Sequence, residues 1–215
     1  MVLDIKNCRV IYLHGLASGP TSYKANFFRE SFLGKGIEME VPDLNQEGFV
    51  GLTLSRQFAQ VKAVIEDSSA DVILVGSSLG GLTAAQLVET CLQIKKVFLI
   101  APALDFLQHW LAMIPLDSLE AWQQRGLRQM HHYGYQQSAM LSYRFVEDLR
   151  AQPKLTISRQ IPFLIFHGLN DDIIPYTAIQ RFTLDHPWMD LYSLEGDHSL
   201  LEHLPMIWQQ MELSL

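Results

Sequence analysis

The sequence is poor in cysteine, with only Cys8 and Cys91 among its 215 residues. The two thiols form no CxxC pair and stand at no spacing typical of a metal site. This excludes a disulfide-rich scaffold and a zinc–thiolate centre, and it favours free thiols in a reducing compartment. We therefore expect no metal ion bound through cysteine.

Clustered positive charge and long apolar runs are also missing. The net charge is −7, and no stretch gathers lysine and arginine into a basic stripe, which argues against a nucleic-acid partner. No segment approaches the roughly 18 consecutive apolar residues of a membrane-spanning helix. The first residues carry neither the basic region nor the apolar core of a signal peptide. The sequence therefore predicts a cytoplasmic protein without a membrane span.

Hydrophobic residues make up 48% of the chain, enough for one domain of ordinary size over residues 1–215. They recur in short runs that are mostly apolar throughout rather than alternating with polar residues. Such runs are typical of strands buried on both faces, as in a parallel sheet covered by helices. The predicted strands are RVIYL (9–13), IEMEV (37–41), DVILV (71–75), KKVFLIA (95–101), IPFLIFH (161–167) and MDLYSL (189–194).

Helical patterns separate these strands. Leu54, Phe58, Val61 and Ile65 fall on one helical stripe. Similar patterns follow the first strand, the third strand and Pro205, a good first-turn residue. Alternation of strand and helix predicts an α/β fold with a largely parallel sheet. The apolar positions of these other helices are Ala25, Phe28 and Phe32; Leu82, Ala85, Val88 and Leu92; and Ile207, Trp208 and Met211.

One segment, about residues 103–158, interrupts the alternation because it holds no convincing strand. We interpret it as a helical lid insertion between the fourth and fifth strands. Within it Phe106 and Trp110, with Met113 and Ile114 following, form one helical face. That face either covers an apolar acyl or aryl pocket or packs on the domain, and both hold if the helix roofs a pocket.

Residues 76–80, GSSLG, fit the G-x-S-x-G pattern of a nucleophile elbow, a sharp turn between a strand and a helix. The pattern follows a buried run and precedes a helical stripe, which is the context that an elbow requires. Strand and helix pass so closely there that the residues two before and two after the nucleophile must be small. Gly76 and Gly80 meet this demand for Ser78, whereas the equivalent neighbours of Ser77 are valine and leucine. The alternative is a flexible loop or a helix cap, since serine and glycine are common in both.

A serine nucleophile needs a base that takes its proton and an acid that orients the base. In one common plan the three groups follow in the order serine, acid, histidine. Asp171 and Asp172 stand just past the predicted strand IPFLIF, at the end where such folds place catalytic groups. His198 follows the last predicted strand. The candidates for a triad are therefore Ser78, His198 and one of the two aspartates.

An oxyanion hole would need two backbone N–H groups aimed at the negative oxygen that forms on an attacked carbonyl. One is expected from Leu79, after the nucleophile, where a helix begins and its dipole favours an anion. The other is expected from Leu16, in the loop YLHGLASGP after the first strand. His14 in that loop is expected to shape the backbone rather than bind metal. His131 and His132 are placed on the surface of the insertion, because adjacent histidines rarely converge on one ion.

These motifs resemble those of α/β-hydrolase fold proteins over nearly the whole chain. YLHGLASGPTSYKA with GSSLGG is similar to the small YqiA-type bacterial esterases. HGLNDDIIP and GDHSL, with LSYRFVEDLR at the end of the insertion, resemble the abhydrolase-domain acyl thioesterases and acyl-glucuronide esterases of mitochondria. The resemblance implies a serine hydrolase that uses no cofactor. It assigns the triad to Ser78, Asp171 and His198, with Leu16 and Leu79 as oxyanion donors.

The resemblance also selects one of the two aspartates, and it shows where this sequence departs from the common hydrolase pattern. In related hydrolases the acid loop commonly reads HGxxDxxVP, a register that selects Asp171 over Asp172 and leaves His167 in the turn. The loop after the second strand reads VPDLNQEGF instead of the fuller PDxxGxG, so we expect a rim of different shape. The chain starts at the strand carrying YLHG, without room for the fold's first two antiparallel strands. A minimal sheet of six strands, close to all parallel, is therefore expected.

The predicted activity is hydrolysis of carboxylic esters or thioesters with an apolar acyl or aryl part, through an acyl-enzyme. The expected partner is accordingly a small-molecule ester or thioester. The motifs leave open a triad hydrolase of another bond, such as a peptide, lactone or C–C bond. They also leave open a hydrolase-like scaffold that binds without catalysis, although such scaffolds usually lose a triad member and none is missing here.

Overall fold

The computed structural model describes residues 5–215, and at its centre a six-stranded sheet joins only parallel neighbours. The strands are β1 Arg9–Leu13, β2 Met39–Glu40, β3 Val72–Ser77, β4 Ile94–Ile100, β5 Leu127–His132, β6 Gln137–Ser142, β7 Phe163–Gly168 and β8 Met189–Leu194. The order in the main sheet is β2-β1-β3-β4-β7-β8, while β5 and β6 form a separate antiparallel hairpin. The predicted six-stranded parallel sheet is confirmed.

Eight α-helices lie within residues 5–215, and none is long and apolar enough to cross a membrane. They are α1 Tyr23–Leu33, α2 Leu54–Glu66, α3 Leu79–Leu87, α4 Phe106–Ala112, α5 Leu116–Arg125, α6 Arg144–Ala151, α7 Tyr176–Leu184 and α8 Leu204–Ser214. Helices α1 and α8 pack on one face of the sheet, and α2, α3 and α7 pack on the other. The predicted α/β architecture, with helices flanking the sheet, is thus observed.

Strand β1 shows why the apolar runs do not alternate. Val10 and Tyr12 point into the core under α1 and α8, whereas Ile11 and Leu13 point into the core under α2 and α3. All four side chains are almost completely buried. Because both faces of the strand are covered, every position favours an apolar side chain.

The sheet order places the loops after β1 and β3 side by side. From β1 the chain moves outward to β2 and then returns to the other side of β1 as β3. In open parallel sheets, ligands bind beyond the carboxyl ends of the strands at such a reversal. The loop after β1 and the turn after β3 therefore meet where a site is expected.

Two predicted elements end earlier than their patterns suggest. Strand β2 spans only two residues of the predicted run 37–41, at the edge of the sheet and just before Pro42. Helix α3 ends at Leu87, because the N–H groups of Thr90 and Cys91 both donate to the Leu87 carbonyl and turn the chain. The prediction that Leu92 lies on the buried stripe is wrong, since that side chain is 66% exposed.

The prediction that the insertion is helical throughout is also wrong. Strands β5 and β6 form a six-pair hairpin between α5 and α6. The more buried side chains of β5 are those of Arg128, Met130 and His132, and only Met130 among them is apolar. The pattern of a half-buried strand was therefore hidden. The placement of His132 on the surface is wrong as well: its side chain is fully buried, whereas that of His131 is exposed.

The aromatic side chains of the insertion form one cluster. Phe106 stacks on Trp110 with 5.0 Å between ring centroids, and Trp110 meets Phe145 and Trp122 edge-on at 5.6 and 5.8 Å. Phe106 is buried, so this face of α4 packs inward on the domain. Met113 lies off that face and is 49% exposed.

Candidate active site

Ser78 occupies a strained turn between β3 and α3. Its backbone has φ 53° and ψ −119°, a combination rarely adopted by residues other than glycine. The N–H of Ser78 donates to the Ile100 carbonyl at 3.0 Å, and its carbonyl accepts from the Gly81 and Leu82 N–H groups. These bonds hold a conformation that is typical of a nucleophile elbow.

The glycines around the turn are required by backbone contacts. A Cβ on Gly76 would lie 2.6 Å from the Gly80 carbonyl oxygen, and a Cβ on Gly80 would overlap the Leu13 carbonyl. No rearrangement of a flexible side chain relieves either overlap, because the obstructing atoms are backbone. The spacing argument that selects Ser78 over Ser77 therefore has a direct steric basis.

Three side chains predicted from separate parts of the sequence meet at this turn. Ser78 Oγ lies 2.9 Å from His198 Nε2, and His198 Nδ1 lies 2.7 Å from Asp171 Oδ2. Because an ionised carboxylate only accepts hydrogen bonds, Nδ1 carries the proton and Nε2 is free to accept from the serine hydroxyl. This is the tautomer that a general base for Ser78 requires.

Asp171 is held by the loop that follows β7. Its Oδ1 accepts the N–H groups of Ile173 and Ile174 at 2.9 and 2.8 Å, and the side chain is buried. Burial by itself would raise the pKa of Asp171, but the hydrogen bond and the charge of His198, with the backbone donors, bring it below its ordinary value. Asp172 is exposed. The structure thus brings Asp171, and not its neighbour, to His198.

His167 lies behind the acid. Its Nε2 is 2.9 Å from the Ile174 carbonyl and 3.2 Å from Asp171 Oδ2, so that nitrogen carries the proton and donates. Burial lowers the pKa of the His167 imidazole, which favours its neutral form. His167 contacts the acid loop rather than Ser78. The prediction that it lies in the turn is wrong, since it is the fifth residue of β7.

The predicted oxyanion donors flank Ser78 on two sides. Leu79 begins α3, and Leu16 lies in the loop after β1. Neither N–H donates a hydrogen bond to another group in the part of the chain described here. Gly15 brings the β1 loop against the elbow, since a Cβ there would lie 3.1 Å from Ser78 Cβ. The oxyanion role of the two N–H groups remains a prediction.

His14 shapes this loop from inside the protein. Its Nε2 accepts the Leu44 N–H at 3.0 Å, so Nδ1 carries the proton and lies 3.0 Å from the Gly15 carbonyl. The side chain is 1% exposed. His14 therefore ties the loop after β1 to the loop after β2, as its backbone-shaping prediction requires.

Sequence reasoning missed a partly buried cation beside the elbow, the side chain of Lys24. Lys24 Nζ donates to Ser77 Oγ at 3.1 Å, and the buried Tyr12 hydroxyl also bonds with Ser77. Burial lowers the pKa of Lys24 to about 8, against the opposing charges of Asp197 and Asp171. The only sequence feature that could have indicated this role is the position of Lys24 inside the YLHGLASGPTSYKA motif. Ser77 is thus part of a polar network beside the elbow.

Lys24 is expected to make stability depend on pH above neutrality. Its folded-state pKa of about 8 lies below the ordinary 10.5, so between these values the unfolded chain binds more protons and stability rises with pH. Relative to Lys24→Met, wild type should gain on the order of 1 kcal/mol between pH 7 and about pH 9.5. Thermal unfolding of both proteins measures this. Lys62→Met, at a half-exposed helix position, is the control; an equal pH response of wild type and Lys24→Met would contradict the assignment.

Comparison with protein-family profiles assigns the chain to a family. Residues 9–214 match the profile described as Uncharacterised protein family UPF0227. The chain belongs to this family. The match agrees with the resemblance to the small YqiA-type esterases. A search of curated proteins gave no significant match.

Solved structures of the α/β-hydrolase fold superpose on nearly the whole chain. A provisionally assigned hydrolase from Agrobacterium vitis S4 is 22% identical, with a TM-score of 0.81 over 98% of this chain and 89% of that one. Est1E from Butyrivibrio proteoclasticus with bound ferulic acid is 19% identical, with a TM-score of 0.75 over 98% and 89%. Alpha/beta hydrolase domain-containing protein 10 from mouse is 19% identical, with a TM-score of 0.71 over 94% and 87%. At these identities the likeness establishes the fold, which is the α/β-hydrolase fold.

Proposed function

We propose that this protein is a serine hydrolase that cleaves carboxylic esters or thioesters through an acyl-enzyme. The observation that carries the proposal is the continuous hydrogen-bond chain from Ser78 through His198 to Asp171, at 2.9 and 2.7 Å. Each member comes from a turn or loop beyond the carboxyl end of a different strand. The elbow and the order of the three residues along the chain are those of α/β hydrolases.

Acylation follows from the proton positions. His198 Nε2 takes the hydroxyl proton as Ser78 Oγ bonds to the carbonyl carbon, and the carbonyl electron pair moves onto oxygen. The N–H groups of Leu16 and Leu79 hold that negative oxygen. When the tetrahedral intermediate collapses, His198 gives its proton to the departing alkoxide or thiolate. Asp171 stabilises the imidazolium and keeps the ring oriented throughout.

Deacylation repeats the steps with water. His198 Nε2 takes a proton from water as its oxygen bonds to the acyl carbon. The second tetrahedral intermediate then breaks the bond to Ser78 Oγ, which recovers its proton from His198 and releases the carboxylic acid. No oxidant, reductant or further group is consumed, so the side chains described here suffice for this chemistry.

An apolar acyl or aryl part is supported by the surface beside the elbow. A cleft of about 600 Å³ has Leu82, Leu104 and Phe106 among its apolar lining residues, although the triad side chains do not line it. Leu82 adjoins the elbow, since its N–H donates to the Ser78 carbonyl. The ferulic acid bound to Est1E points to the same substrate class. The intact Ser–His–Asp geometry supports catalysis over a role as a binding scaffold.

Labelling with a fluorophosphonate probe tests the proposal. The probe bonds covalently to the oxygen of an activated serine and loses fluoride, so wild type should be labelled and Ser78→Ala should not. Ser77→Ala is a matched control from the adjacent position and should still be labelled. Esters and thioesters of increasing acyl length, offered beside peptide and lactone substrates, would then define the bond. Wild type that is neither labelled nor active on any ester or thioester would refute the proposal.

A further inference from the structure

The β5–β6 hairpin of the insertion packs directly on the loop that carries Leu16. The N–H of Gly134, in the hairpin turn, donates to the Ala17 carbonyl at 3.2 Å. A Cβ on Gly134 would lie 2.9 Å from the Ser18 carbonyl carbon, so only glycine allows this approach. The two segments are more than a hundred residues apart in sequence and share a backbone contact next to the predicted oxyanion donor.

Asn45 makes a second link between the same two segments. Its Nδ2 donates to the Ser18 carbonyl at 2.7 Å, and its Oδ1 lies 3.3 Å from His132 Nε2 at the end of β5. The Tyr135 N–H donates to His132 Nδ1 at 3.1 Å, so Nδ1 is unprotonated and Nε2 carries the hydrogen. The chain of donors therefore runs in one direction, from Tyr135 through His132 and Asn45 to Ser18.

The link is sealed from solvent. Asn45 is 3% exposed, and His132 is fully buried between the stacked ring of Tyr135 at 3.7 Å and the edge-on ring of Phe49 at 4.6 Å. Burial, together with the nearby His14, lowers the pKa of His132 and favours the neutral ring that the donor chain requires. A buried polar pair of this kind is costly when either partner is lost, so both ends are held firmly.

The loop needs such support because its backbone is strained. Ala17 has φ 55°, in the left-handed region that disfavours residues with a Cβ. The carbonyls of Ala17 and Ser18, the two residues after Leu16, are the ones bonded by the hairpin and by Asn45. The conformation that fixes the direction of the Leu16 N–H is thus stabilised from the insertion.

We propose that Asn45 and His132 are positioning residues for the oxyanion hole, through which the β5–β6 hairpin sets the orientation of the Leu16 N–H. The inference rests on the proposed serine hydrolase function and adds a role for the insertion in the reaction itself. Neither side chain contacts the substrate. They act by holding the Ser18 carbonyl, and with it the loop, in the geometry that receives the negative oxygen.

Asn45→Asp and His132→Phe test the positioning role. The aspartate replaces a donor to the Ser18 carbonyl with a repelling oxygen, and the phenylalanine keeps the ring but removes both nitrogens. We expect kcat to fall about 10- to 100-fold, as for a reacting group displaced by about 1 Å, with KM little changed. His131→Phe, at the exposed neighbouring position, is the matched control and should leave kcat and KM as in wild type.

A trifluoromethyl ketone inhibitor separates positioning from loss of folded protein. It adds to the serine to give a tetrahedral oxyanion, so its Ki should rise by the same factor by which kcat falls. A variant that merely contains less folded enzyme would show a lower kcat with an unchanged Ki. Gly134→Ala moves the hairpin off the loop while keeping Asn45 and His132. It should give the same pattern, and it replaces either variant that fails to fold.

The outcomes distinguish the two proposals. Wild type that fails to react with fluorophosphonate or any ester overturns the proposed function and this inference with it. Active wild type, with kcat, KM and Ki unchanged in folded Asn45→Asp and Gly134→Ala, overturns the inference alone. A matched change in kcat and Ki in these variants, absent from His131→Phe, supports it.

Discussion

Replacing Ser78 or His198 with alanine is expected to lower kcat on an ester substrate by about 10⁶-fold each, and the double variant should lose no more than either single one. The effects do not add because the serine oxygen is nucleophilic only while His198 accepts its proton, across the 2.9 Å contact. Once either partner is removed, the other has nothing left to contribute. Single-turnover kinetics of wild type, both single variants and the double variant measure this directly.

Two matched substitutions control for general damage. Ser77→Ala changes the adjacent hydroxyl, and His186→Ala changes a histidine whose Nδ1 bonds to the Phe182 carbonyl at the end of α7. Both should keep kcat within a few-fold of wild type while melting temperatures are compared. If Ser78→Ala and His198→Ala losses multiplied in the double variant, the two side chains would be acting independently and the triad assignment would be wrong.

Asp171→Asn should lower kcat by about 10⁴-fold, through the tautomer of His198. The backbone N–H groups of Ile173 and Ile174 hold one side-chain oxygen of residue 171. The asparagine must therefore turn its NH₂ toward His198 Nδ1, which then becomes an acceptor. The proton moves to Nε2, where it faces the serine hydroxyl and prevents proton removal.

Asp172→Asn is the control for this prediction, because the same change is made one residue away on an exposed side chain. Its kcat should match that of wild type. The fall in Asp171→Asn should appear in kcat, with KM changed much less, since the ring orientation affects the transition state more than binding. A larger loss of kcat in Asp172→Asn than in Asp171→Asn would show that the triad acid is Asp172, which would contradict the assignment of Asp171.

Much of the fold was readable from the sequence because its signals are local. Apart from Arg9, which begins β1, every residue of β1 and β3 is apolar or small, since both faces of a central parallel strand are covered. The helical stripes of α1 and α8 likewise predicted the buried residues Phe28, Phe32, Ile207 and Met211. The helical stripe did not predict where α3 ends. Almost every residue of this helix is buried, so no polar face marks its last turn.

The hairpin of the insertion could not be read in this way. Its inward positions hold Arg128, whose guanidinium lies 5.6 Å from the centroid of the Trp122 ring, and His132, whose Nε2 donates to Oδ1 of the distant Asn45. A single sequence does not show which residue, 87 positions away, will bond with a histidine. The same holds for Lys24, whose ammonium reaches Ser77 only because α1 packs beside the elbow.

By itself the sequence determined the parallel α/β sheet, the elbow and the choice of Ser78, because strand burial and glycine spacing act over a few neighbouring residues. The loop register, read through the family resemblance, favoured Asp171 over Asp172, but only the tertiary structure showed that Asp171 meets His198 and that the insertion reaches the loop of Leu16 through His132 and Asn45. These contacts join residues 27, 27 and 87 positions apart. Their geometry depends on how whole elements pack, which no local spacing encodes.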